Sequence, residues 1–309
     1  MSGPRVLVTG ASGFIGPHVV ARLREGGYAV RIASRTRAPH DPAIEQVVVG
    51  DLAGAVDWRA ALEGVGHVVH MAGLAHAGPG LDEALYRRIN ADATLDLAEA
   101  ARRAGAARFV YLSSIKALSG RFDGPPLGDD DAPAPDDAYG RSKREAERGL
   151  AGLDLDWVAL RPTLVYGPGV KANMAALLRL ARLPLPLPLG GLDAPRSILA
   201  VENLAEAVAF ALTPACPARR CYLVADPEPA SVAEMIAAMR AGMGRRPGLL
   251  PIPASWLATL ARLAGKSEAF AKLSGGLRAP PEALLAAGWR PRLATRQALA
   301  QLAAGNGGG

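Results

Sequence analysis

The segment Thr9-Gly10-Ala11-Ser12-Gly13-Phe14-Ile15-Gly16 decides the fold of this 309-residue chain. It follows the β-branched run Arg5–Thr9 and opens residues 13–25, whose apolar residues recur with helical periodicity. At such a junction Gly10 permits the tight turn, Gly13 lets the backbone approach a pyrophosphate, and Gly16 lets the helix pack closely on the strand. A glycine triplet can also form a turn that binds nothing, but this strand–turn–helix context favours a dinucleotide. We expect Ser12, Phe14 and Ile15 to contact the cofactor too.

Strands and helices alternate along the first 115 residues. Apolar runs predict further strands at 29–33, 46–49, 67–71 and 108–112, and helical periodicity predicts helices at 58–62 and 81–104. Strands that are apolar throughout are typical of a parallel sheet that is covered on both faces. The predicted fold class is therefore α/β, a Rossmann-type doubly wound parallel sheet.

The pattern loosens after Pro162. Before it, a loop rich in Pro, Gly and Asp spans 120–137, with a solvated acidic stretch at 129–131, followed by a helix at 139–150 and a strand at 157–161. After it, helical segments are separated by Pro/Gly loops, at 174–183, 201–212, 232–243, 254–263, 281–287 and 295–304. We predict a dinucleotide domain at 1–165, a smaller, mostly helical substrate lobe at 166–304 that can return to the first domain, and a disordered tail at 305–309.

Composition and charge limit the possible partners. The net charge is +6, yet residues 1–150 carry 18 basic and 19 acidic residues, whereas residues 151–309 carry 17 and 10. The positive field of the second half suits a small polyanion, and no nucleic-acid-binding motif accompanies it, so no nucleic-acid partner is expected. No uninterrupted apolar stretch is long enough for membrane insertion. The two cysteines, Cys216 and Cys221, are expected to be reduced in a cytoplasmic protein, and no metal site is predicted.

The ends of the second, third and fourth strands carry further candidate cofactor contacts. Arg35 and Arg37 stand where enzymes that use NAD place an acidic residue, so they favour the 2′-phosphate of NADP over NAD, although both could be solvated. Asp51, with Leu52 beside it, could accept a hydrogen bond from the adenine amino group or simply cap the next helix. The small residues at 71–73 let the backbone pass the cofactor; these are Met71, Ala72 and Gly73. His70 by itself predicts only a packed histidine.

The candidate catalytic residues are Ser114, Tyr139 and Lys143. Ser114 ends the fifth strand, and Tyr139 and Lys143 share one helical face because they are four residues apart. A nearby ammonium and a positive nicotinamide ring stabilise the Tyr139 phenolate, so that it can exchange protons near neutral pH. Lys143 can also bind the nicotinamide ribose, and the Ser114 hydroxyl can hold the reacting oxygen of the substrate.

Together these motifs resemble the extended short-chain dehydrogenase/reductase family, the NAD(P)-dependent epimerase/dehydratase group, over about residues 4–300. The resemblance implies a cofactor contact for Asn90, which matches an Asn that begins the fourth helix, and for Pro162, which passes the nicotinamide. It implies that Asn173 touches the nucleotide of a sugar nucleotide and that Arg196 pairs with its pyrophosphate; without the resemblance, Arg196 could instead pair with a carboxylate such as Glu202. Residues 288–291 resemble the closing Gly-Trp-x-Pro segment of the family.

The resemblance implies chemistry at C4 of a nucleoside-diphosphate hexose, with a UDP-sugar favoured. The same residues serve an epimerase and an NADPH-dependent 4-keto-sugar reductase, so both stay open; a non-catalytic dinucleotide sensor is a remote alternative because the Tyr/Lys pair is kept. Elimination is not expected, since Ile115-Lys116 stands where dehydratases of the family have an acid pair. A homodimer is expected through the helices at 81–104 and 139–150, with Leu95 and Ala146 facing outward.

Overall fold

A seven-stranded parallel sheet organises the chain. The computed structural model describes residues 3–37, 41–75, 82–120, 124–170 and 172–305. The strand order is β3-β2-β1-β4-β5-β6-β9, and β7 and β8 form a separate parallel pair. The strands are β1 (Arg5–Thr9), β2 (Ala29–Ser34), β3 (Glu45–Val48), β4 (His67–His70), β5 (Arg108–Leu112), β6 (Trp157–Pro162), β7 (Leu164–Tyr166), β8 (Ile198–Ala200) and β9 (Arg220–Val224). The order reverses between β1 and β4, which is where ligands bind in doubly wound sheets.

Helices cover both faces of this sheet and build the second lobe. They are α1 (Gly16–Glu25), α2 (Arg59–Leu62), α3 (Glu83–Arg87), α4 (Ala93–Arg103), α5 (Ala138–Ala151), α6 (Ala172–Arg182), α7 (Val201–Ala211), α8 (Val232–Gly242), α9 (Ala254–Leu263), α10 (Ser267–Ser274), α11 (Glu282–Ala286) and α12 (Thr295–Gly305). Within the described ranges, no helix combines the length and the apolar character that crossing a bilayer requires.

Strand β1 shows why the sheet needs helices on both sides. Val6 and Val8 point into a core that includes α1 and α7, whereas Leu7 points into a second core on the opposite face, with α4 and α5. All three side chains are fully buried. Alternate residues of a strand point to opposite faces, so a strand without polar positions must be covered twice. The predicted doubly wound α/β fold is confirmed.

The second lobe differs from the expected arrangement in three elements. Strand β9, at Arg220–Val224, joins the main sheet beside β6, and the short β7–β8 pair and helix α10 were not anticipated. The chain also returns to the first core, where Leu284 and Trp289 are fully buried. The unanticipated strands and helix α10 are only three to eight residues long, which is too short for a recognisable periodicity of apolar residues.

Two local expectations are corrected. Helix α12 ends at Gly305, which is therefore helical rather than part of a disordered tail; residues 306–309 lie outside the described ranges. The acidic stretch 129–131 is not fully solvated, because Asp129 is half-buried and accepts a hydrogen bond from the Leu223 N–H at 2.5 Å. Its backbone carbonyl also accepts from Arg161 at 3.0 Å. This loop is thus attached to the ends of β6 and β9.

The two helices expected to form a dimer do not expose the two apolar side chains that were predicted to face outward. Ala146 is fully buried inside the protomer and does not face outward, and Leu95 is half-buried against Gly149. The expected helix at 81–104 is two helices joined by a π-helical turn, Arg88–Asp92; residue 81 lies outside the described ranges. The homodimer stays a prediction.

Candidate functional site

Two cavities meet above the carboxyl ends of the central strands. The first, of about 410 Å³, lies over β1, β2 and β4, at the reversal of strand order. The second, of about 380 Å³, lies between β5, α5 and the second lobe. Met71 and Gly73 line both, so the two cavities form one continuous cleft.

The predicted residues divide between these cavities. The first cavity is lined by nine of them: Gly10, Ser12, Gly13, Arg35, Asp51, Leu52, Met71, Ala72 and Gly73. The second is lined by nine as well: Phe14, Ile15, Met71, Gly73, Ser114, Tyr139, Lys143, Pro162 and Arg196. Four predicted residues line neither: Gly16, Arg37, Asn90 and Asn173.

The glycine turn is shaped for close approach of a ligand backbone. Gly10 has φ +75°, and a Cβ there would lie 2.6 Å from the Ala72 nitrogen, so the turn requires glycine. Gly16 is packed against Ala11 so closely that a Cβ would overlap the Ala11 backbone. At Gly13, by contrast, a Cβ would meet the turn only at 3.4 Å, so this position opens to the cavity. The turn thus leaves a cradle at the start of α1.

Arg35 and Asp51 face each other at the rim of the first cavity. The Arg35 guanidinium lies 3.8 Å from the Asp51 carboxylate, and both side chains are exposed. Asp51 also accepts a hydrogen bond from the Ala53 N–H at 2.9 Å. Helix α2 begins only at Arg59, so Asp51 does not cap it, which corrects one of the two readings of this residue. Arg37 does not line the cavity.

Helix α5 carries the polar side chains of the second cavity. Asp137 caps the helix by accepting from the Gly140 N–H at 2.7 Å, so Tyr139 stands in its first turn. Lys143 follows on the same face, and its Nζ donates to the Leu112 carbonyl at the end of β5, at 2.9 Å. The Lys143 Nζ is 5.9 Å from the centroid of the Tyr139 ring, and Ser114 lines the same cavity as Tyr139 and Lys143. The three predicted catalytic residues are therefore brought together.

Burial dominates the electrostatics of these groups. It raises the pKa of Tyr139 to about 12, against the smaller opposite effect of the nearby Ser114 hydroxyl. It lowers the pKa of Lys143 to about 8, against the attraction of Glu147. The tyrosine of the protein alone is therefore not poised near neutral pH, and a further positive charge in the cleft is needed to bring its pKa down.

A buried ion pair behind Lys143 was missed by the sequence reasoning. Glu147 accepts from the Arg161 Nε and Nη2, each at 2.9 Å, and from the Ser113 hydroxyl at 2.7 Å. Glu147 and Arg161 are 1% and 3% exposed. Burial alone would raise the pKa of Glu147, but the Arg161 hydrogen bonds hold it below its usual value. The sequence does contain an indication of Glu147, because it lies four residues after Lys143 and therefore on the same helical face as Tyr139 and Lys143.

A buried hydrogen-bond chain connects the glycine turn to the long helix. The Thr94 hydroxyl donates to the Asn90 carbonyl at 2.7 Å, so it accepts from His70 Nε2 at 3.0 Å. His70 Nδ1 must then accept from the Thr9 hydroxyl at 2.7 Å, and Thr9 in turn accepts from the Ala72 N–H. His70 is a buried, packed histidine, as expected. Burial lowers its pKa to about 3, and the Lys143 charge adds to this shift.

Asn90 lies in the middle of the long helix rather than at its start. It occupies the π-helical turn Arg88–Asp92, whose widened backbone leaves the Asn90 carbonyl free to accept from Thr94 and from the Tyr111 hydroxyl. Its side chain binds the Leu74 N–H at 2.7 Å and the Ser142 hydroxyl at 3.0 Å. Asn90 thus holds the β4 loop against α5 from behind the cleft.

The two residues that the resemblance assigns to the nucleotide and its pyrophosphate occupy different places. Arg196 is at the wall of the second cavity, where its Nη2 donates to the Leu273 carbonyl at 2.5 Å and to the Gly275 carbonyl. Burial lowers its pKa. Asn173 is exposed near the start of α6. Only Arg196 is therefore placed beside Tyr139 and Ser114.

The cleft fits a dinucleotide. The glycine cradle at Gly10 and Gly13 leaves room for phosphates beside the start of α1. At the junction of the two cavities, a Cβ on Gly73 would lie 2.7 Å from the Asn90 Oδ1 and 3.4 Å from the Lys143 Nζ. A larger residue there would displace the Asn90 side chain. Because Met71 and Gly73 line both cavities, an extended ligand can run from Arg35 to Tyr139.

Comparison with known proteins agrees with this geometry. The profile of the NAD dependent epimerase/dehydratase family matches residues 6–224. The chain belongs to this family. A UDP-glucose 4-epimerase of Vibrio cholerae is 34% identical, with 96% of this chain and 94% of that protein covered. A 3-diazoavenalumate denitrifying reductase of a Streptomyces species is also 34% identical, with 93% and 96% covered.

A solved structure supports the same membership. MoeE5 in complex with UDP-glucuronic acid and NAD superposes with a TM-score of 0.71 at 28% identity, covering 96% of both chains. The resemblance to extended short-chain dehydrogenases/reductases is confirmed, and this family member is an NAD(P)-dependent enzyme of the epimerase or oxidoreductase type.

We predict that Glu147→Gln lowers the free energy of unfolding by about 3–5 kcal/mol, because it leaves the Arg161 charge buried without its carboxylate. Urea denaturation at pH 7 measures the loss. The matched control is Glu145→Gln on the same helix, whose pair with Arg87 is exposed and contributes less than about 1 kcal/mol. Equal losses in both variants would contradict a special role for the buried pair.

We predict that His70 makes stability depend on pH below neutrality. The folded state keeps His70 neutral down to about pH 3, whereas the unfolded chain binds a proton near its ordinary pKa of about 6.5. The unfolded state therefore gains protons first, and stability falls as pH decreases. Between pH 7 and pH 5 this contribution is about 2 kcal/mol, and His70→Gln should remove it. Urea denaturation at both pH values tests this, with His18→Gln as control; an unchanged pH dependence in His70→Gln would refute it.

Proposed function

We propose that the protein is a UDP-sugar 4-epimerase. The observation that carries this proposal is the convergence of Ser114, Tyr139 and Lys143 where the two cavities join, beside Gly73. A dinucleotide in the first cavity and a sugar in the second would meet at this junction. The 34% identity to a UDP-glucose 4-epimerase over nearly the whole chain supports the same reaction.

The side chains of the cleft provide proton transfer at the sugar C4 oxygen. Tyr139 removes the hydroxyl proton when C4 is oxidised and returns it when C4 is reduced, while the Ser114 hydroxyl holds the oxygen in place. Lys143, whose pKa is lowered to about 8, stays largely protonated at neutral pH, and its charge near the ring favours the phenolate. The dinucleotide, when bound, supplies the hydride acceptor and donor.

Arg196 is proposed as the anchor of the substrate diphosphate. It lies in the wall of the second cavity, and its Nη2 donates to the Leu273 and Gly275 carbonyls, which orient the guanidinium. A planar guanidinium can donate two parallel hydrogen bonds to a diphosphate. Asn173, exposed on α6, is proposed as a contact of the nucleotide.

The second candidate is an NADPH-dependent reductase of a 4-keto sugar nucleotide, and Arg35 favours it. This arginine lies at the rim of the first cavity, exposed and 3.8 Å from Asp51, so a 2′-phosphate could replace the carboxylate as its partner. A reductase releases its oxidised cofactor after each turnover, whereas an epimerase reuses it. Elimination is disfavoured in both cases, because Lys116, paired with Asp137, stands beside Ser114 instead of an acid.

Two measurements test the proposal. The purified protein is denatured, and released dinucleotide is identified by mass spectrometry; the protein is then incubated with UDP-glucose and UDP-N-acetylglucosamine, and the products are followed by NMR. Retained cofactor with interconversion of the C4 epimers supports the epimerase. Stoichiometric consumption of NADPH by a 4-keto sugar nucleotide, without epimerisation, would replace it with the reductase.

We predict that Tyr139→Phe lowers turnover at least about a hundredfold, because it removes the proton-transferring hydroxyl and keeps the ring. Dinucleotide binding, measured by calorimetry, should change little, since the glycine cradle lies in the other cavity. Tyr86→Phe is the matched control, because the Tyr86 ring packs edge-on against Tyr139 at 6.4 Å but does not line the cleft. Near-normal turnover of Tyr139→Phe would remove Tyr139 from the mechanism.

A further inference from the structure

Helix α9 presents an apolar stripe to the outside of the second lobe. Trp256, Leu260 and Leu263 are 67%, 62% and 78% exposed, and their spacing places them on one side of the helix. The opposite side already packs on the lobe through Leu257. A surface helix normally has a polar outer side. The stripe therefore has no role in the packing of its own lobe.

A neighbouring segment adds to this apolar surface. Leu183, Leu185 and Leu250 are also exposed, in the stretch Leu-Pro-Leu-Pro-Leu-Pro-Leu at 183–189 and in the segment just before α9. Leu187 and the 248–250 segment are joined by backbone hydrogen bonds of 2.8–2.9 Å. The buried Arg240 donates to the carbonyls of both segments, so they are held side by side.

Most of the exposed large apolar side chains belong to these two joined segments and to the helix that follows one of them. In the described part of the chain, nine large apolar side chains are exposed, and six of them belong to these two segments and α9. Phe14 and Leu164 line the second cavity, which leaves Val48 as an isolated exposed residue. Contiguous exposed apolar surface marks an interaction site, whereas single residues do not. We refer to the six residues as the α9 face.

The charge around the α9 face is predominantly positive. Residues 172–193 and 241–268 contain two acidic residues, Asp193 and Glu268, and six basic residues: Arg179, Arg182, Arg245, Arg246, Arg262 and Lys266. Arg262 and Lys266 are exposed within and just after α9. A second copy of the chain, related by a two-fold axis, would bring these like charges together. The complementary partner is an anionic surface that also accepts apolar side chains.

We propose that the α9 face docks on a lipid bilayer that contains anionic headgroups. Trp256, Leu260 and Leu263 would enter the boundary between headgroups and acyl chains, where tryptophan is favoured. Arg262 and Lys266 would lie at the level of the lipid phosphates. This is peripheral binding of a helix parallel to the surface.

The docked face is close to the second cavity. Helices α9 and α10 pack together, and the end of α10 provides the Leu273 and Gly275 carbonyls that hold Arg196 in the cavity wall. Leu277, just beyond, lines the cavity itself. A bilayer on the α9 face would therefore be separated from the cleft by one helix. The docking proposal does not depend on the reaction proposed above.

Vesicle binding tests the proposal with the full chain. Sedimentation with phosphatidylcholine vesicles is compared with vesicles that contain about 30% phosphatidylglycerol. We expect binding to the anionic vesicles, weakened at least about tenfold when salt is raised from about 50 mM to about 500 mM. Absence of binding to the anionic vesicles at low salt would overturn the proposal.

Trp256 reports directly on the depth of insertion. The other three tryptophans, Trp58, Trp157 and Trp289, are at most 5% exposed, so a lipid-dependent fluorescence change must come from Trp256. We expect a blue shift on vesicle binding and quenching by lipids brominated on the acyl chain. Trp256→Phe should abolish both signals. Binding without quenching would place the contact elsewhere and refute the role of α9.

Paired variants separate the apolar and the electrostatic contributions. Trp256→Ala with Leu260→Ala should weaken vesicle binding at least about tenfold, whereas the exposed control Val48→Ala should not. The double variant Arg262→Gln with Lys266→Gln should also weaken vesicle binding at least about tenfold. The charge-matched control, Arg59→Gln with Arg103→Gln on the first domain, should leave it unchanged. Unchanged Tm values establish folding. If Trp256→Ala instead dissociates a dimer in the absence of lipid, the face belongs to a second copy and the membrane proposal fails.

Discussion

The buried pair of Glu147 and Arg161 is the constraint on which the cleft depends. Glu147 lies on α5 and Arg161 on β6, and Ser113 at the end of β5 donates to the same carboxylate. Two charges removed from water are tolerated only when the geometry satisfies both, so α5 has one allowed position against the two strands. Because Lys143 and Tyr139 lie one and two turns before Glu147, that position also determines where the ammonium and the phenol stand.

A second constraint aligns the dinucleotide turn with α5. Starting at Thr9, hydrogen bonds pass through His70 and Thr94 to the backbone of Asn90, and the Asn90 side chain continues to Ser142, whose hydroxyl donates to the Tyr139 carbonyl. Each member is buried or half-buried, so breaking one bond leaves an unsatisfied polar group. The two cavities therefore keep a fixed relation, which a reaction between ligands in both requires.

The sequence predicts the fold well where its signals are local. Apolar strands, the glycine turn and the Tyr139–Lys143 spacing depend on neighbouring residues, and the sheet and the grouping of Ser114, Tyr139 and Lys143 follow from them. Contacts between different elements were not predictable. Arg220 of β9 pairs with Val158 of β6, 62 residues earlier, and the spacing places Glu147 on the face of Tyr139 and Lys143 but does not identify Arg161 of β6 as its partner. Ala146 was placed outward because periodicity gives the spacing of a helical face but not which face packs inward. The π-helical turn at Asn90 has no compositional signature.

The fold also divides the positive charge of the second half of the chain. From the sequence alone, all of this positive charge could contribute to binding one diphosphate in the cavity, with Arg196 as its anchor. In the structure Arg196 faces the cavity, whereas Arg262 and Lys266 are exposed on and beside α9. Exposed charges are screened over roughly 8 Å at physiological salt, so outward-facing groups contribute little to binding inside the cleft. Arg262 and Lys266 instead lie close in sequence to the exposed Trp256 and Leu263, and this mixture of basic and apolar side chains suits a partner surface that is both apolar and anionic. The positive charge of the second half is thus distributed over two separate places, the wall of the cavity and the α9 face.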